Sequence, residues 1–110
     1  MLSDGQLITA LTGLFKLNRD AKKLGVSLER TPRTIDDEAM ELNHEFKVFH
    51  RGIDTGYYVQ VGMGEMSLDH FDGDGSTEIA RLDTAHGFAT PMTDFVATVI
   101  NTAVSAEKAA

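Results

Sequence analysis

Residues 57–87, YYVQVGMGEMSLDHFDGDGSTEIARLDTAHG, constrain this chain more than any other segment. Short runs of β-forming residues alternate there with glycine turns. Connections this short join antiparallel neighbours, because a parallel pair needs a crossover of a dozen residues or more. The spacing predicts strands over 57–61, 66–71 and 77–83, with reversals at Gly62-Met63-Gly64 and Asp72-Gly73-Asp74-Gly75. Gly52-Ile53-Asp54-Thr55-Gly56 reads as a five-residue turn before them. One sheet face then carries Val59, Val61, Met66, Leu68, Ala80 and Leu82. The other carries Tyr58, Gln60, Ser67, Asp69, Ile79, Arg81 and Asp83.

The apolar face needs a cover, and both ends of the chain supply one. Ser3 and Gln6 form a capping-box pair. Leu7, Leu11, Leu14, Leu17, Ala21 and Leu24 follow at three- and four-residue spacing, widened by Ile8 and Phe15. Gly25 suits a left-handed helix end, so one helix is expected over about 4–24 and a linker containing Pro32 over 25–33. Thr34 caps a second helix to about residue 43, with Asp36, Asp37 and Glu38 in its first turn. The next segment, EFKVFHR, alternates as a strand over about 45–52 while keeping helical spacing as well. Pro91 in a first turn after Thr90 opens the last helix, whose stripe is Phe95, Val96, Val99, Ile100 and Ala103; the tail SAEKAA is expected to fray. The fold class is therefore α+β: a three- to four-stranded antiparallel meander packed in two layers against N- and C-terminal helices, one domain over 1–110.

At 110 residues the chain can bury a core without metal or disulfide staples. It has no cysteine, which removes a disulfide framework, a thiol nucleophile and cysteine-based zinc sites. No secretory signal or apolar run of membrane-spanning length appears, so a soluble cytoplasmic protein with no membrane association is expected. The net charge of −7 disfavours broad nucleic-acid affinity. The charge is uneven, however: Lys16, Arg19, Lys22, Lys23, Arg30 and Arg33 gather in the first third.

Four constellations could carry chemistry. Asp69, Asp72, Asp74 and Glu78 suggest a calcium loop, but aligning Gly75 with its glycine puts His70 and Arg81 at ligand positions that need hard oxygens. Hairpin turn chemistry accounts for the Asp-Gly pairs better. Residues 21–27 resemble the centre of a helix-turn-helix, with Lys16, Arg19, Lys22 and Lys23 as the nucleic-acid contacts. Pro32 would fall within the second turn of its recognition helix. His44, His50, His70 and His86 lack paired helical spacing, although His50 and His70 could meet if neighbouring strands held them. Finally, Arg81 and Asp83 share a sheet face, with His86 just beyond the strand end. That trio could hold an anion or perform acid–base work; an Arg81–Asp83 surface pair with His86 capping a turn explains the same residues without chemistry.

The residues from His70 to Gly87 read H-F-x-x-D-G-S and then R-x-D-x-A-H-G. This pattern resembles the core of small prokaryotic proteins of unknown function, some of them encoded beside toxin–antitoxin modules. The resemblance covers under a third of the chain. Those proteins often carry further histidines soon after the His-Gly pair, and residues 88–92 here have none. It implies no catalytic residues.

The sequence thus points to a small interaction or regulatory protein that binds a protein partner through the outer sheet face, at Tyr58, Asp69, Phe71 and Arg81 with His86 nearby. Phe71 or Ile79 could seed a homodimer. No cofactor fingerprint or metal-ligand set is present in the sequence, so no cofactor is expected. The alternative is a toxin-like, metal-independent ribonuclease, with His86 as general acid or base, Arg81 stabilising the phosphate and Asp83 beside them. A third reading is DNA binding through residues 16–33.

Overall fold

Ser3 begins the first helix in the way its spacing to Gln6 predicts. Its hydroxyl accepts the Gln6 amide at 3.2 Å, and the Gln6 side chain accepts the Ser3 amide at 2.9 Å. The computed structural model describes residues 2–31, 44–83 and 87–108. Eight elements follow in order: α1 (Asp4–Leu17), α2 (Arg19–Leu24), β1 (Val26–Arg30), β2 (His44–His50), β3 (Ile53–Gly62), β4 (Glu65–Phe71), β5 (Ser76–Arg81) and α3 (Ala89–Lys108). The helix expected over about 34–43 lies outside the described residues.

The five strands form one antiparallel sheet in the order β1-β2-β3-β4-β5. The architecture is α+β, with one strand more than expected. The shortest principal extent is 21 Å, as one helix layer on one sheet gives. The helices lie on one side. Leu7, Leu11 and Phe15 of α1 and Met92, Phe95, Val96, Val99, Ile100 and Ala103 of α3 join Phe46, Val48, Val59, Val61, Met66 and Leu68 in a single buried core.

Several expectations need correction. The single helix over 4–24 is two helices. Asn18 adopts an extended backbone, ends α1, and uses its side chain to accept the Ala21 amide at the start of α2. An Asx side chain competes for backbone amides in this way, which is why it breaks a periodic stripe. Leu17 is consequently 79% exposed and leaves the apolar stripe. Residues 26–30 are strand, not linker: Val26 and Leu28 face the core side and Ser27 and Glu29 alternate with them. Gly25 keeps its expected left-handed conformation, at φ 74°. Residues 45–50 of EFKVFHR are strand, with Phe46 and Val48 buried by alternation, and the strand ends at His50 rather than about 52.

The expected five-residue turn is much tighter. The chain reverses at Arg51 and Gly52, with φ of 52° and 79°, and Ile53 already pairs with His50. Met63 and Gly64 repeat that geometry at the next hairpin, with φ of 54° and 72°. Two positive-φ residues match the right-handed twist of the strands that they join. Gly56 instead belongs to β3, where Thr55, Gly56 and Tyr57 oppose Val48 alone in a bulge. The helix α3 spans Ala89–Lys108 with Pro91 in its first turn, as expected, and the last two residues of the tail lie outside the described residues. His50 and His70 sit on β2 and β4, separated by β3, so they are not cross-strand neighbours. His70 packs on Tyr57 instead, with ring centroids 4.5 Å apart.

Leu68 sits fully buried on β4. Leu68→Ala is expected to cost about 2–5 kcal/mol in urea denaturation. Ile53→Ser, at an exposed position, should stay within about 0.5 kcal/mol.

Candidate functional site

The sheet face away from the helices is organised by register. Paired residues on adjacent strands share a face. Glu29, Lys47, Tyr58, Asp69 and Glu78 are cross-strand partners in turn and make one row across all five strands. Beside it, Glu45, Gln60, Ser67 and Arg81 make a second. Tyr58, Asp69, Phe71 and Arg81, the residues singled out from sequence, therefore lie on one surface.

A bulge decides who else joins them. Leu68 pairs with Ala80 and Asp69 with Glu78, which leaves Ile79 without a place in the register. Simple alternation puts Ile79 beside Arg81; the bulge puts Glu78 there. Arg81 then bridges two carboxylates, donating from Nη1 to Glu65 at 2.7 Å and from Nη2 to Glu78 at 2.6 Å. Glu78 first and Glu65 second raise its pKa further.

Asp69 is the unusual member. It is 8% exposed although it belongs to the face away from the helices. Its Oδ2 accepts the Ser67 hydroxyl at 3.1 Å, and Ser67 is equally buried. Among the described residues that is the one hydrogen bond the carboxylate receives. Burial raises its pKa above the usual carboxylate value, the Ser67 bond opposes this, Glu78 adds to it and Arg81 opposes it. Asp72, in the β4–β5 turn, behaves oppositely. Its Oδ1 accepts the Asp74 amide at 3.1 Å and the Gly75 amide at 2.9 Å, and these bonds lower its pKa. The turn chemistry expected for the Asp-Gly pairs is thus present. No group of three or more metal-ligating side chains occurs among the described residues.

Several concave regions border this face, among them a small one of about 150 Å³ beside Gln60, Glu65, Ser67 and Arg81. A hollow of about 370 Å³ lies between Tyr58 and Phe71, rimmed by Glu45, Lys47 and Asp54. Phe71 is 58% exposed beside it. A cleft of about 330 Å³ runs between β5 and α3, lined by Leu82, Asp83, Pro91, Asp94 and Phe95. Asp83 lies beyond the last paired residue of β5, and His86 lies outside the described residues. Lys16, Arg19, Lys22 and Lys23 are exposed on α1 and α2, remote in sequence from the site. The segment that would form a recognition helix after Gly25 is strand β1, so no helix-turn-helix is built there.

Glu65, Glu78 and the hollow were not expected. Glu65 could have been found two residues from Ser67 on the same strand face; Glu78 could not, because the bulge reverses the alternation that would place it. No family model, curated protein or solved structure matches this chain. Among the described residues, no helix is long and apolar enough to cross a membrane.

The two aspartates predict opposite responses to pH. A raised folded-state pKa favours the protein at low pH, and that benefit is lost as pH rises through it. Ionised Asp69 therefore weakens the fold at neutral pH. Asp69→Asn should raise the melting temperature at pH 7, and the gain should vanish as pH falls below the ordinary carboxylate range. Asp72, with its lowered pKa, contributes above that range and loses its contribution as pH falls; Asp72→Ala should lower the melting temperature at pH 7 and matter least in acid. Thermal scans across pH check both.

Proposed function

We propose that this chain is a small interaction or regulatory protein whose partner, another protein, docks on the outer sheet face around Tyr58, Asp69, Phe71 and Arg81. The observation that carries this reading is the surface itself. An ordered polar face with an exposed phenylalanine beside a concave hollow is left uncovered by α1, α2 and α3. A large aromatic at a rim of polar side chains matches the anatomy of a binding patch, where aromatic anchors supply most of the affinity.

The ribonuclease reading gains nothing from Arg81. Its guanidinium is engaged by Glu65 and Glu78, so a phosphate would have to displace a carboxylate in a surrounding field of acids. The α1–α2 basic residues offer charge without a reading helix, which gives sequence-specific DNA recognition no support.

The test is affinity capture under native conditions with the wild-type chain, Phe71→Glu, Arg81→Glu and the double variant Lys22→Glu with Lys23→Glu. A partner held by the wild type and the lysine variant, and reduced at least about tenfold by Phe71→Glu, supports the outer face. A partner lost only with the lysines places recognition on α2 and sinks this reading.

A further inference from the structure

Resting on that reading, we infer that the partner segment is cationic and carries a bulky apolar side chain, which seats between Tyr58 and Phe71 while its Lys or Arg groups meet Glu45, Asp54 and Asp69. The hollow supplies the apolar seat. Its volume, about 370 Å³, is roughly ten times the ~30 Å³ share of one water molecule, so it takes a large side chain. Tyr58 and Phe71 offer two aromatic walls, and Phe71 gains cover when the seat is filled.

Charge chooses the rest of the occupant. The outer face presents Glu29, Glu45, Asp54, Glu65, Asp69 and Glu78 against Lys47 and Arg81. Among the described residues these two cations are already matched: Arg81 by Glu65 and Glu78, and Lys47 by Asp54 at 3.9 Å. Bound anions meet repulsion here, and cations meet a surplus of acceptors. Asp69 adds a separate argument. Asp69 is 8% exposed as a residue, lies next to Tyr58 in the long row, and among the described residues its carboxylate accepts one hydrogen bond, from Ser67. A guanidinium or ammonium approaching from solvent supplies the charge-assisted donor that such a carboxylate lacks. Two copies of the chain placed face to face would instead oppose like charges, which argues against a symmetric dimer through this surface.

The probe is a synthetic ten-residue peptide alternating Lys with Leu around a central Trp. The protein has no Trp, so the peptide's emission reports binding without protein background. A second peptide carries Glu in place of Lys. Expected are saturable binding of the Lys peptide, weakening with added salt, and no binding of the Glu peptide. Phe71→Ser, and separately Glu45→Gln with Asp54→Asn, should each reduce affinity about tenfold. Lys22→Gln with Lys23→Gln should leave it unchanged, and all variants should melt cooperatively. Absence of saturable binding, binding of the Glu peptide, or affinity indifferent to both face variants overturns the inference. So does sedimentation showing a dimer that either Phe71→Ser or the lysine variant dissolves, since that assigns the face to the α2 surface of a second copy. The outcomes also separate the two levels. If native capture depends on Phe71 but the Lys peptide does not bind, the partner chemistry fails and the docking face stands. If native capture ignores Phe71, the docking face fails whatever the peptide does.

Discussion

A strand sends successive side chains to opposite faces, and the helices α1 and α3 cover one face of this sheet. Those two facts govern everything else. On β3, Val59 and Val61 enter the core while Tyr58 and Gln60 point away from it. A slip of one residue would bury the tyrosine and glutamine and expose both valines. The register therefore has to be pinned, and the turns pin it. Arg51-Gly52 and Met63-Gly64 reverse the chain through left-handed backbone, which non-glycine residues adopt only at a cost. Asp4 adds a tie across the layers: its carboxylate accepts the Gly64 amide at 2.8 Å, joining the start of α1 to the β3–β4 turn.

Two bulges then interrupt this regularity without breaking it. In β3, the extra residues opposite Val48 are held by the Thr55 hydroxyl, which donates to the Val48 carbonyl at 2.7 Å, and by Asp54, which accepts the Gly56 amide at 2.9 Å. In β5, the bulge at Ile79 turns Glu78 to the outer face beside Arg81. Bulges bend strands and re-aim side chains. Here they bring Asp54 to the rim of the hollow and Glu78 to the side of Arg81. The ion pairs that result are half exposed, and such pairs contribute at most about 1 kcal/mol to stability. Their larger consequence, among the described residues, is the field they leave: acids in surplus, cations matched, and the largely buried Asp69 accepting a single hydrogen bond. That field is the basis for proposing a cationic partner.

Particular residues show how much the sequence carried. Ser3 with Gln6, Gly25, the alternation of Phe46 with Val48, the Asp72 turn and the α3 stripe from Phe95 to Ala103 are local signals, and each appears where its spacing puts it. Asn18, Arg51 and Ile79 mark where local reading stopped. Asn18 fits an unbroken helix by periodicity, but its side chain caps a new one. Arg51 carries no glycine-like permission for positive φ, yet the hairpin requires it. Ile79 obeys alternation on paper, and the pairing of Asp69 with Glu78 overrides it. Each depends on a partner distant in the chain or on a cap competing with a helix, which a periodicity cannot contain.

The sequence by itself determined the antiparallel meander, the two covering helices and most of the core, though not Val26 or Met92, because periods of two and of three to four residues are written directly in the order of apolar side chains. It also placed Tyr58, Asp69, Phe71 and Arg81 on one face. Tertiary structure alone decided the place of β1 beside β2, the desolvation of Asp69, the sharing of Arg81 between Glu65 and Glu78, and the hollow between Tyr58 and Phe71. Those features arise from residues that only pairing brings within reach of each other, and burial, charge and shape belong to the assembled surface rather than to any segment of it.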